Sequence, residues 1–79
     1  MRIEVRLFAT LVSYLPPGSR GGAVILEVPA GSTVNDVAAH LGIPSDLQRI
    51  ALVNGHDASL DRRLSAGDIV TLFPPLAGG

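Results

Sequence analysis

Lysine and cysteine are both absent from this 79-residue sequence, in which six arginines supply the strongly basic side chains. Without a thiol, the chain has no disulfide framework, no thiolate metal site and no cysteine nucleophile. Without lysine, it has no side-chain amine to form a Schiff base or to attach another protein. Any sulfur that this protein handles must therefore be carried by a group other than a side-chain thiol.

Long apolar runs and clustered charge are also missing. No run approaches the roughly 20 residues that span a bilayer, and the start, Met1-Arg2-Ile3-Glu4, has no signal-peptide core. The net charge is −1 and the arginines are scattered, without the basic stripe that neutralises several phosphates. The two histidines are too far apart to predict a metal site. We therefore expect a cytoplasmic protein with no membrane, nucleic-acid or metal partner.

The residues that are present predict one small compact domain. Hydrophobic residues make up 47% of the chain and charged residues 16%, which is typical of a globular fold. Strand patterns occupy residues 2–8, 23–28, 49–53 and 69–73, with a short edge strand within 56–64. In the first strand, Ile3, Val5 and Leu7 share one side, while Phe8 falls on the charged side.

One helix separates the second and third strands. Its predicted signals are Thr33 as N-cap with Asp36 in a capping box, one apolar face (Val34, Val37, Ala38, Leu41), and Gly42 and Pro44 as stop residues. The element order predicts an α+β protein with the ubiquitin-like β-grasp fold, a mixed sheet of four to five strands with one helix packed across it. The domain is expected to cover residues 1–73, followed by a flexible tail of residues 74–79.

The tail is the feature that carries chemistry. After Phe73-Pro74 it reads Pro75, Leu76, Ala77, Gly78 and Gly79. The prolines stiffen its root, and the two glycines leave a tip slim enough to thread a channel that excludes a β-carbon. The Gly79 carboxylate is unhindered but is a poor electrophile. Adenylation with ATP supplies a leaving group, and a sulfur donor that displaces AMP leaves a thiocarboxylate.

The sequence resembles the MoaD/ThiS family of sulfur carriers, and in particular the small subunit of molybdopterin synthase. The resemblance covers nearly the whole chain and rests on residues 5–9, 31–34, 53–55, 64–68 and, most specifically, 73–79. The Phe-Pro-Pro before Leu-Ala-Gly-Gly favours the molybdopterin branch over the thiamine branch. One departure is the polar segment at 56–59, near which the molybdopterin carriers tend to place an apolar docking residue.

The resemblance implies a carrier that is a substrate of enzymes and binds no cofactor itself. Its implied partners are a ubiquitin-activating-like adenylyltransferase that uses ATP and Mg²⁺, a sulfurtransferase, and the molybdopterin synthase large subunit. Gly79 is then the reactive terminus, Gly78 threads with Ala77, Leu76 and Pro75, and Phe8 and Phe73 dock partners. Aromatic residues are common at interface centres, although both phenylalanines are equally consistent with ordinary core residues.

Other functions remain open at this stage. The carrier is also consistent with delivery of sulfur to thiamine or to another pathway. A ubiquitin-like protein modifier would join Gly79 to lysines of target proteins. A third alternative is a β-grasp binding module whose tail is incidental to its function.

Overall fold

The structure is a computed structural model that describes residues 1–75. Its elements are, in chain order, β1 (Arg2–Leu7), a 3₁₀ helix (Ala9–Tyr14), β2 (Ala23–Glu27), α1 (Val34–His40), β3 (Ile50–Val53), β4 (His56–Ala58) and β5 (Ile69–Phe73). The strands form one sheet in the order β2-β1-β5-β3-β4. Strands β1 and β5 are parallel neighbours at its centre, and the other pairs are antiparallel. This mixed sheet with one helix confirms the predicted β-grasp fold.

The core lies between the inward face of the sheet and the helix. Alternate residues of each strand point inward, as the period of two requires. The buried strand residues are Ile3, Val5, Leu7, Leu26, Ala51, Val53, Val70 and Leu72, and the helix adds Val34, Val37 and Ala38. The opposite face of the sheet has no element of residues 1–75 packed over it and carries the side chains available to a partner.

Helix α1 begins with the predicted capping box. The Thr33 hydroxyl accepts a hydrogen bond from the Asp36 backbone N–H at 3.1 Å, and the Asp36 carboxylate accepts one from the Thr33 N–H at 2.9 Å. Two otherwise unsatisfied backbone donors are thereby paired. Gly42 adopts a φ of +82°, the left-handed conformation that ends the helix. Leu41 is the C-cap and is half-buried, and it packs against the core that contains the other residues of the predicted apolar face.

Most of the differences from the sequence predictions lie at element ends. Strands β1 and β2 stop one residue early, at Leu7 and Glu27, and β3 begins at Ile50 rather than at residue 49. The 3₁₀ helix has no counterpart among the elements predicted from the sequence. It forms because Leu11 is fully buried and anchors the segment against the core. That burial depends on contacts distant in sequence, which local patterns do not show.

The loop before β2 folds back on that edge strand. Arg20 and Ala23 exchange two backbone hydrogen bonds of 3.0 Å across Gly21 and Gly22, both of which have positive φ. This tight hairpin occupies the outward N–H and C=O of Ala23. It shortens the unpaired edge of the sheet.

Candidate docking face and chain terminus

The last strand leads directly into the tail. Strand β5 ends at Phe73, and Pro74 and Pro75 cannot donate backbone hydrogen bonds to a sheet. Pro75 lines a shallow groove together with Leu60 and the loop of residues 45–49. The predicted reactive and threading residues Leu76, Ala77, Gly78 and Gly79 lie outside the described residues, so their roles, and the flexible tail as a whole, stay predictions.

Phe8 is fixed in place at the end of β1. Its backbone is extended, with φ −126° and ψ 158°, and its N–H donates to the Leu72 carbonyl at 3.2 Å. Its own carbonyl accepts from the Leu11 N–H at 3.1 Å as the 3₁₀ helix begins. Ala9 then turns the chain with a φ of +54°. The Phe8 ring is therefore held on the outward face with 51% of its surface exposed, which excludes the core alternative for this residue.

Phe73 lies beside Phe8 and between two strands. The parallel register pairs Leu7 with Leu72, so the next position places Phe8 alongside Phe73. On its other side, the antiparallel register pairs Phe73 with Ile50 of β3. Phe73 alternates with the buried Leu72 and is itself half-buried. Phe8, Phe73 and Ile50, here called the apolar row, thus cross three adjacent strands about 4.8 Å apart.

Ile50 is the member of this row that sequence reasoning did not single out. It is 37% exposed, although it belongs to a strand with an almost continuous apolar sequence. A continuous run does not reveal which residues face outward. The signal that could have identified Ile50 is the end of β5 at Phe73. A residue of β3 that pairs directly with Phe73 must lie on the same, outward face of the sheet.

The start of β3 is held by Arg49. Its guanidinium donates to the Leu47 carbonyl at 2.9 Å and to the Asn35 side-chain oxygen at 2.7 Å, while Nε is buried without a hydrogen-bond partner. The preceding loop is thereby tied to the first turn of α1. Since Ile50 follows immediately, this link fixes its position in the row.

The surroundings of the apolar row are mixed in polarity. The next outward positions of β1, β5 and β3 are Arg6, Thr71 and Leu52. Arg6 pairs with Glu4 on the same strand, a solvent-exposed ion pair that contributes little stability. Strand β4 presents the exposed His56 and Asp57, as the polar sequence of this segment predicted.

A second hydrogen-bonded cluster ties the turn after β3 to the turn before β5. Asn54, with φ +53°, donates through Nδ2 to the Asp68 carboxylate at 2.9 Å and accepts from the Ile69 N–H at 2.9 Å. Asp68 also accepts from the Ser65 N–H at 2.8 Å. The bond from the Ser65 N–H, the bond from the Asn54 amide and, to a lesser extent, the charge of Arg62 hold the pKa of Asp68 below its ordinary value of 3.8, against the opposing effect of burial. The cluster fixes the start of β5, and nothing in it points to catalysis.

Replacing Asp68 with asparagine is expected to destabilise the domain at neutral pH by about 1 kcal/mol, because the amide keeps only one acceptor oxygen. The pKa of Asp68 is lower in the folded state, so its contribution is complete above pH 3.8 and is lost as pH falls through the folded-state pKa. Urea titrations of both proteins from pH 7 to pH 2 should therefore converge at the acid end. A constant difference would contradict this.

Residues 1–75 offer no site for metal chemistry or for a membrane span. They contain no group of three or more histidine, cysteine, aspartate or glutamate side chains arranged to hold a metal ion. In the same range, no helix has the length and apolar character needed to cross a bilayer.

Comparison with known proteins relates this chain to a family. The ThiS family model matches residues 5–79. Small archaeal modifier protein 1 from Haloferax volcanii is 30% identical, with 95% of this chain and 98% of that chain covered and a TM-score of 0.73. A search of curated proteins finds no match.

Two further solved structures share the fold at lower identity. A putative molybdopterin converting factor subunit 1 from Pyrococcus furiosus is 23% identical over 95% of this chain and 98% of that chain, with a TM-score of 0.67. A chain of the complex between subunits 1 and 2 of the molybdopterin-converting factor from Helicobacter pylori is 22% identical over the whole of both chains, with a TM-score of 0.61. The chain therefore belongs to the ThiS family, a group of small ubiquitin-like sulfur carriers and modifiers that are not enzymes themselves.

Proposed function

We propose that this protein is a sulfur carrier whose Gly79 carboxylate is adenylated and then converted to a thiocarboxylate for molybdopterin biosynthesis. The observation that carries the proposal is the match to the ThiS family, which runs from residue 5 to Gly79 itself. It agrees with the absence of cysteine, which leaves no side-chain thiol to carry the sulfur.

The chemistry takes place at one carbon atom. A carboxylate oxygen of Gly79 attacks the α-phosphorus of ATP, and pyrophosphate leaves. A hydrosulfide group delivered by a sulfurtransferase then attacks the acyl carbon, AMP leaves, and the thiocarboxylate remains. A ubiquitin-activating-like adenylyltransferase supplies the site and the Mg²⁺, so the carrier binds no cofactor. Its own contribution is a recognisable body and a tail, Pro75 to Gly79, slim enough to enter that site.

The proposed recipient is the large subunit of molybdopterin synthase, which would use the thiocarboxylate as its sulfur source. Two solved structures with the same fold bear molybdopterin-converting-factor names, and one of them is a complex of two subunits. The Phe-Pro-Pro sequence at residues 73–75 supports the same branch. The cytoplasmic location expected from the sequence stays a prediction, in keeping with these partners.

Protein modification is the second candidate function, and the likeness to small archaeal modifier protein 1 favours it. In that case the activated Gly79 acylates lysine amines of other proteins. Because this sequence contains no lysine, its own side chains offer no site for such an amide bond. Conjugates would therefore carry single copies rather than chains linked through lysine.

Intact-mass spectrometry tests the proposal. The full chain is incubated with the adenylyltransferase and sulfurtransferase of the same organism, ATP, Mg²⁺ and a sulfur donor. We expect replacement of one C-terminal oxygen by sulfur, dependent on ATP. A heavier series of conjugates in cell extract, without any thiocarboxylate, would support the modifier instead. If neither the thiocarboxylate nor the conjugates form, the tail is incidental to the function, and both candidate functions are contradicted.

A further inference from the structure

We propose that Ile50 is a docking residue and that, with Phe8 and Phe73, it binds an apolar surface of the adenylyltransferase beside the channel that receives the tail. This inference rests on the proposed function and extends it to a residue that neither the sequence motifs nor the polar β4 segment indicated. The apolar row is its structural basis.

The three side chains form one continuous strip. Phe73 is paired directly with Ile50 and lies alongside Phe8. Phe8 and Ile50 are therefore each one strand spacing away from Phe73. Phe8 and Ile50 are exposed while Phe73 between them is half-buried, which makes a shallow surface with aromatic and aliphatic ends. Aromatic and aliphatic anchors at the centre of an interface are where binding energy concentrates.

The backbone beneath the strip is fixed before any partner arrives. The Phe8 N–H bonds the Leu72 carbonyl, and Arg49 ties the residues before Ile50 to α1. Rigid anchors lose little conformational freedom on binding, so their burial contributes more to affinity. The row therefore has the preorganisation expected of a docking surface.

The position of the row along the chain selects its occupant. It is the last cross-strand row before Pro74, and Gly79 lies six residues beyond Phe73. Six residues span at most about 20 Å, at roughly 3.3–3.6 Å each. A protein that holds the row thus keeps the terminal carboxylate within about 20 Å, the arrangement that an enzyme acting on the terminus requires. Four of those six residues lie beyond the described part of the chain.

Ile25 provides a matched control on the same face. It is the most exposed large hydrophobic residue described, at 54%, and it pairs with Glu4. Glu4 lies four residues before Phe8 on β1, about 13 Å along the strand. If the partner binds any exposed isoleucine, substitution at either position will weaken binding. If it binds next to the start of the tail, only substitution of Ile50 will do so.

The experiment compares Ile50→Asp with Ile25→Asp in the full chain. The KM for carrier and the kcat are measured in adenylyltransferase-catalysed ATP–pyrophosphate exchange, and the Kd by calorimetry. We expect Ile50→Asp to raise KM and Kd at least about tenfold, as for an interface hot spot, with kcat unchanged at saturation. Ile25→Asp should stay within about twofold of the unsubstituted chain.

A milder variant distinguishes loss of the contact from misfolding caused by the aspartate. Ile50→Thr keeps the β-branched shape suited to a strand and should raise Kd about threefold while circular dichroism remains unchanged. Equal Kd values for this variant, Ile50→Asp and the unsubstituted chain, or equal losses at Ile25 and Ile50, would overturn the inference. Failure of C-terminal activation, on which the proposed function depends, gives a separate result, because the unsubstituted chain would then support no exchange.

Discussion

Deleting Gly79 is expected to lower the rate of C-terminal adenylation at least about 100-fold, although the shortened chain still ends in a glycine carboxylate. Removing one residue shortens the reach of the tail by roughly 3.3–3.6 Å. A misplacement of even about 1 Å can reduce an enzymatic rate 100-fold, because the reacting atoms no longer meet in a productive geometry. Single-turnover adenylation with saturating enzyme measures the effect directly.

Gly79→Ala is the control that separates the effect of tail length from the effect of side-chain size at the last residue. It keeps the length of the tail and adds one β-carbon, so it tests only whether the channel excludes side chains. Thermal unfolding of both variants should match that of the unsubstituted chain, since the sheet ends at Phe73. Normal adenylation after the deletion would show that the enzyme does not measure the distance from the domain to the terminus.

The largest effect on stability is expected for Leu72→Ala, at about 2–5 kcal/mol of unfolding free energy. Leu72 is fully buried in the central part of β5, paired with Leu7 on one side and Ala51 on the other. The substitution leaves a cavity that the neighbouring alanine does not fill. A domain of this size has only a small stability reserve, so a substantial unfolded population is expected at 37 °C.

Thr71→Ala is the matched control for this prediction. Thr71 is adjacent in β5 but faces outward and is only half-buried. Its replacement should cost no more than about 1 kcal/mol, the range of strand preferences in a host sheet. Urea denaturation of the two variants measures the difference. Similar losses at both positions would contradict the assignment of the two faces of β5.

The sequence was sufficient to predict the fold because its local signals agree with one another. The capping box at Thr33 and Asp36, the left-handed Gly42 that ends the helix and the bounds of β5 all appear in the structure as expected. Each depends on residues within a few positions along the chain. The element order then left few ways to bury the apolar faces.

The candidate site was less accessible to sequence reasoning, because it is assembled from distant strands. The alternation of β1 places Phe8 on its charged side, and its exposure agrees with that position. Ile50 was missed because its place opposite Phe73 depends on a register between β3 and β5. The Asn54–Asp68 cluster was missed for the same reason, since its members are joined only when two turns meet.

The central pairing of β1 with β5 joins the two ends of the sequence, since Glu4 lies next to Ile69. Contacts of such long range form late, after most of the chain is available. A nascent or truncated chain without β5 lacks the middle strand of its sheet and has nothing to close the core. Consequently, a molecule in which the apolar row is complete has already formed β5, the strand that precedes the terminal residues in the sequence.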